Sequence, residues 1–160
     1  MCYYDSISKG YDELHGEEQK RKLKIIRTLI NPKPDETLLD VGCGTGISTD
    51  FDCICAGIDP SEELVKVAKD KYPKKKFLVA SAECIPFRDS SFDYVISVSA
   101  VHNFSDIGRG LDEIKRVGKD NFVFTVLRRS PRCDEIIKKI KSVFSMKKII
   151  EEDKDIILST

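Results

Sequence analysis

Leu39-Asp40-Val41-Gly42-Cys43-Gly44-Thr45-Gly46 joins a short apolar run to a loop with glycine at every second position. Thr37 to Val41 leads directly into those glycines and reads as a buried strand. Glycine has no Cβ, so the loop can turn sharply and let its backbone approach a ligand closely. The spacing is G-x-G-x-G. A dinucleotide fingerprint would read G-x-G-x-x-G, and a P-loop would end in Gly-Lys-Ser/Thr. Taken alone, the loop is also consistent with a plain tight turn.

The pattern repeats outward from this loop. Residues 17–30 place Leu23, Ile26, Leu29 and Ile30 at helical spacing, and Asn31-Pro32-Lys33-Pro34 ends that helix. Strands are expected over 53–58, 76–80, 92–98 and 121–127, and helices over 61–71, 106–117 and 134–144. Ile47 to Asp52 leaves room only for a helix of one or two turns, or a loop. In the tail, Lys148-Ile149-Ile150 and Ile156-Ile157-Leu158 flank a charged turn, which reads as an antiparallel hairpin. Alternating strands and helices imply a parallel sheet covered on both faces. The fold class is therefore α/β, a three-layer α/β/α sandwich. It has a Rossmann-like, mostly parallel seven-stranded sheet with a C-terminal antiparallel hairpin. No internal repeat or long linker divides the sequence, so residues 1–160 read as one domain, with 1–30 an N-terminal helix and lid and 37–160 the core.

The second expected strand ends at Asp59. An acidic residue there can accept hydrogen bonds from both hydroxyls of a ribose, and it can equally serve as a turn residue before the next helix. With the glycine loop, it points to a nucleoside-containing ligand at the carboxyl ends of the strands.

LLDVGCGTG (38–46), AGIDPSEELVKVAKDKYP (56–73), FLVASAECIPFRDSSFDYVISVSAVHNF (77–104) and LDEIKRV (111–117) occur in this order. Together they resemble the class I S-adenosylmethionine-dependent methyltransferases, in the group that includes the ubiquinone and menaquinone methyltransferases. The resemblance covers most of residues 37 to 127. It implies S-adenosylmethionine as cofactor and a role for each matching position. Gly42, Cys43, Gly44 and Gly46 would surround its methionine and ribose, Asp40 would lie near the methionine ammonium, and Asp59 would hold the ribose hydroxyls. Pro60 would pack on the adenine, with Ser81, Ala82 and Glu83 at the adenine edge. Ser81 stands where the family usually has aspartate. Ser97, Val98 and Ser99 would lie beside the methionine, and Tyr11, in Gly10-Tyr11-Asp12, resembles a lid tyrosine.

His102 follows the fourth expected strand, where the methyl group should point. A neutral imidazole can take a proton from a nucleophile, so His102 is the candidate catalytic residue, with a structural role as the alternative. No Asn-Pro-Pro-Tyr-type run follows that strand, which argues against exocyclic amine methylation of nucleic-acid bases. Arg128, Arg129 and Arg132, with nearby lysines, offer either an RNA phosphate contact or a solvated face.

Lys plus Arg and Asp plus Glu both number 27, so the net charge is zero and gives no general argument for a nucleic-acid or membrane partner. No apolar run approaches bilayer-spanning length. Met1 to Gly16 has no apolar signal region, and the expected location is the cytoplasm. The six cysteines show no zinc spacing, so no metal is expected, and Cys53 and Cys55 should share one face of a strand. The function expected is methyl transfer to an unidentified acceptor, most simply a small molecule. The resemblance also admits an RNA or translation-factor methyltransferase activated by a small zinc-binding partner. A third reading is a non-catalytic cofactor-binding subunit.

Overall fold

A computed structural model describes the backbone from Ser8 to Thr160 and side chains from Gly16 onward. α1 (Ser8–Leu29) precedes β1 (Thr37–Val41), and a single 3-10 turn (Ile47–Thr49) leads to β2 (Ile54–Asp59). α2 (Glu62–Lys71), β3 (Lys76–Val79) and β4 (Phe92–Val98) follow. A second 3-10 turn (Val101–Asn103) leads into α3 (Ile107–Val117), β5 (Gly118–Leu127) and α4 (Cys133–Val143). β6 (Lys148–Glu151) and β7 (Asp155–Ser159) close the order.

The strands form one seven-stranded sheet in the order β3-β2-β1-β4-β5-β7-β6. β3 through β5 pair in parallel, and β7 runs antiparallel to both β5 and β6. The strand order reverses at β1 and β4, where Leu39 lies between Ala56 of β2 and Val95 of β4. That reversal opens a crevice at the carboxyl edge of the sheet.

Side-chain alternation assigns the two faces. Leu39, Val41, Ile58 and Val95 pack on Leu111 and Ile114 of α3 and on Ile136 and Ile140 of α4. Leu38, Ile96, Val98 and Val123 face the other way, onto Leu23, Ile26 and Ile30 of the α1 side. α2 covers the same face farther out, with Val65 and Ala68 against Phe77 and Cys43. Each large aliphatic side chain buried this way contributes about 1.5–3 kcal/mol relative to exposure.

The elements also have local causes. Ser61 caps α2 by accepting from the Leu64 N–H, and acidic Glu62 and Glu63 follow at the positive end of the helix dipole. Asp106 caps α3 in the same way through the Arg109 N–H. α1 begins at Ser8, well before the expected residue 17, because its first turns carry no continuous apolar stripe for a periodicity to find. β5 begins at Gly118, where the pairing with β4 contains a register shift between Phe92 and Tyr94.

Candidate functional site

The crevice holds a cavity of about 340 Å³, walled by β1, β2, β3 and β4 through the segments that follow them. This volume lies within the range of small-molecule sites, about 300–1,000 Å³. Gly42, Gly44 and Gly46 all have left-handed backbones, with φ of 81°, 54° and 88°. At Gly42 a Cβ would lie only 2.4 Å from the Ala100 Cβ, so the loop can pass β4 only without a side chain. The loop is anchored to β2 because the Gly42 and Cys43 N–H groups both donate to the Ile58 carbonyl, at 2.8 and 3.0 Å.

Asp59 fixes the second side. Its Oδ2 accepts from the Gly44 N–H and its Oδ1 from the Ser61 N–H, each at 2.9 Å. The carboxylate thus ties the glycine loop to the start of α2 while standing on the cavity wall. Ionised carboxylate oxygens have about four acceptor sites, so this arrangement is compatible with further donors from a ligand. Glu83 forms part of the third side. Its carboxylate accepts from the Asp106 N–H at 3.0 Å, and its carbonyl accepts from Arg109 Nε at 3.0 Å. Leu64, Ala82 and Phe104 supply apolar surface.

Of the residues singled out from the sequence, the structure brings Gly42, Gly44, Asp59, Pro60, Ser81, Ala82, Glu83, Val98 and Ser99 to this one wall. Five others stand off the wall, each for a local reason. Ser97 is fully buried and donates to the Val41 carbonyl at 2.9 Å, tying β4 to β1. Cys43 packs into the apolar cluster under α2, and burial pushes its thiol pKa up. Gly46 packs against Tyr72 and Phe77, where a Cβ would come within 3.0 Å of each ring. His102 lies in the 3-10 turn but off the wall, while its neighbour Asn103 lines it. Burial lowers the His102 pKa, and the charges of Lys22 and Arg129 lower it further. The side chain of Tyr11 lies outside the described residues.

Asp40 also stands behind the wall. Its side chain is fully buried, and Oδ2 accepts from Ser48 Oγ at 2.5 Å and Thr49 Oγ1 at 2.8 Å, whereas Oδ1 has no partner among the described residues. Desolvation pushes its pKa up to about 6 against the two hydroxyl bonds. Asp40 therefore braces the turn after the glycine loop.

Sequence reading missed a polar cluster at the far end of the wall. Ser99, just past β4, has φ of 52° and is bonded to Lys22 of α1 and Thr125 of β5. Lys22 sits four residues before Ile26 in the buried stripe of α1, and a charge at an apolar-stripe position was the available signal. Among the described residues no group of three or more His, Cys, Asp or Glu side chains could hold a metal ion. Cys53 and Cys55 do share a face, with their sulfurs 3.5 Å apart. Among the described residues no helix is long and apolar enough to cross a membrane.

A family model described as a methyltransferase domain matches residues 39–125. An uncharacterised protein of Methanocaldococcus jannaschii is 40% identical over 128 residues, covering 78% of this chain and 50% of that protein. The demethylmenaquinone methyltransferase of Chlorobaculum tepidum is 30% identical over 154 residues, covering 88% of this chain and 64% of that one. The chain thus spans between half and two thirds of the length of these relatives. In fold, it is similar to a Haloferax volcanii methyltransferase solved with the Trm112 methyltransferase activator. That similarity has a TM-score of 0.78 at 21% identity, over 96% of this chain and 80% of that one. Because the matched span runs from β1 into β5 and contains the cavity wall from Gly42 to Ser105, the chain belongs to the methyltransferase-domain family, within the class I S-adenosylmethionine-dependent methyltransferases.

Proposed function

We propose that the cavity holds S-adenosylmethionine and that the protein transfers its methyl group to a small-molecule acceptor. The observation that carries this reading is Asp59, a carboxylate pinned on the wall by the Gly44 and Ser61 N–H groups and facing the turn that Gly42 keeps free of side chains. The residues fit the cofactor on chemical grounds. Asp59 offers an acceptor for vicinal hydroxyls, Leu64, Ala82 and Phe104 offer apolar surface for a base, and Val98 and Ser99 border the remaining end. When bound, the cofactor supplies a methyl group already activated by its attachment to a sulfonium.

The protein's own contribution is then alignment. Fixed walls hold the donor in one orientation and admit the acceptor from one side, which can supply a large part of the rate enhancement without a strong base. A neutral His102 off the wall is consistent with this. Isothermal titration should show S-adenosylhomocysteine binding to the wild type, weakened at least tenfold by Asp59→Ala through loss of charge-assisted hydrogen bonds. Absence of binding of either S-adenosylhomocysteine or S-adenosylmethionine by the wild type would overturn the reading.

A second reading is an RNA or translation-factor methyltransferase that works with a small activating partner. The similarity in fold to the Haloferax volcanii methyltransferase, which was solved with such an activator, supports it. Transfer of labelled methyl groups into fractionated extract, sorted into RNA, protein and small molecules, separates the two. Cofactor binding without transfer to any fraction would favour a non-catalytic subunit instead.

A further inference from the structure

We propose that Lys22 is a positioning residue for the cavity: from α1 it holds Ser99 in its left-handed backbone conformation and so makes the wall at the end of β4 depend on the docking of α1. The inference rests on the reading of the cavity as the cofactor site. Lys22 is 4% exposed, in a stripe where Leu23 and Ile26 are also buried. An apolar residue would dock the helix at less desolvation cost, since burying an ammonium is expensive even when it is paired. The ammonium has three donors, and three acceptors surround it. They are Ser99 Oγ at 2.7 Å, Asp155 Oδ2 at 3.1 Å and Glu18 Oε1 at 3.2 Å.

Two of these acceptors neutralise the charge. The third is a serine on the cavity wall with φ of 52°, a region in which a non-glycine residue is strained. Ser99 is held by β5 as well. Its N–H donates to Thr125 Oγ1 at 2.8 Å, and the two hydroxyls lie 3.2 Å apart. α1, β4, β5 and β7 therefore meet at one serine on the cavity wall.

A double-mutant cycle tests this, because glycine adopts a left-handed backbone without strain. Titrations with S-adenosylhomocysteine compare wild type, Lys22→Met, Ser99→Gly and the double variant. Lys22→Met should weaken binding about tenfold, the scale set by the left-handed penalty. Ser99→Gly sets its own baseline affinity, because it also removes a wall hydroxyl, and adding Lys22→Met to it should change that baseline little. Equal weakening by Lys22→Met in both backgrounds, or no weakening in either, would overturn the proposal. A ligand-free readout separates this from failure of the cofactor reading. Hydrogen exchange of the residue 99 amide should accelerate in Lys22→Met but not when Lys22→Met is added to Ser99→Gly. An unchanged rate, or equal acceleration in both, rejects the positioning role even if the wild type binds no cofactor. If Lys22→Met leaves Asp155 too poorly compensated to fold, the same cycle is run in an Asp155→Asn background.

Discussion

Asp40 is a carboxylate enclosed by a sheet and a tight turn, and its position sets a pH dependence. Its pKa in the folded protein, about 6, lies above the ordinary 3.8. The folded state therefore holds an extra proton between about pH 4 and pH 6. This contribution to stability is full below about pH 4 and is lost as pH rises through 6. Its size is on the order of 3 kcal/mol. In urea denaturation, wild type should lose stability relative to Asp40→Asn between pH 4.5 and pH 7.5. Asp155, also pushed up by burial, is common to both proteins and cancels. A flat difference, or one that favours wild type at the higher pH, contradicts the assignment. Residues such as Gly42 and Asp59 were legible in the sequence because turn geometry and strand-end chemistry depend on residue type. Asp40 and Ser97 were read as ligand contacts, yet side chains alternate along a strand, and these two lie on opposite faces of the sheet, Asp40 bonded to Ser48 and Thr49 and Ser97 to the Val41 carbonyl. Motif position alone does not say which face a strand residue occupies. Lys22 was legible only as a charge in an apolar stripe; its partners Ser99 and Asp155 are distant in the chain and were not.

At the scale of elements, α3 joins the core to the cavity. Leu111 and Ile114 are wholly buried, while its capping Asp106 donates its N–H to the Glu83 carboxylate on the wall. Asp106→Ala removes the side-chain cap but leaves that N–H in place. It should cost about 1 kcal/mol in chemical denaturation with an unchanged denaturant slope, and a loss near zero would show that Arg109 and Glu83 hold the helix start without it. Strand and helix positions were largely legible, since β1 and β4 match their expected spans and the apolar stripes of α2, α3 and α4 have clear periods. Where they departed, at the start of α1 and of β5, the cause was a helix extended without an apolar stripe and a strand entered through a glycine and a bulge.

At the scale of the whole molecule, alternation of strands and helices was enough to anticipate a parallel sheet, because parallel strands need crossovers. The order in which strands lie was not written in any local pattern. In that order β1 and β4 occupy the middle, with β3 and β6 at the edges. Native-state hydrogen exchange should therefore find the slowest amides in β1 and β4, opening only with global unfolding, and faster ones in β3 and β6. Uniform protection across all strands would show a sheet with no weaker margin. The wall at the end of β4 carries a consequence of its own for synthesis. Gly42 through Ser105 supply the cavity surface as one continuous segment, but Ser99 is clamped by Lys22 from before it and by Thr125 and Asp155 from after it. A domain folds as a unit during synthesis, so a chain emerging from the ribosome exposes every cavity residue before the contacts around Ser99 can close. The wall at Ser99 is therefore expected to reach its final geometry only once β7 has left the exit tunnel.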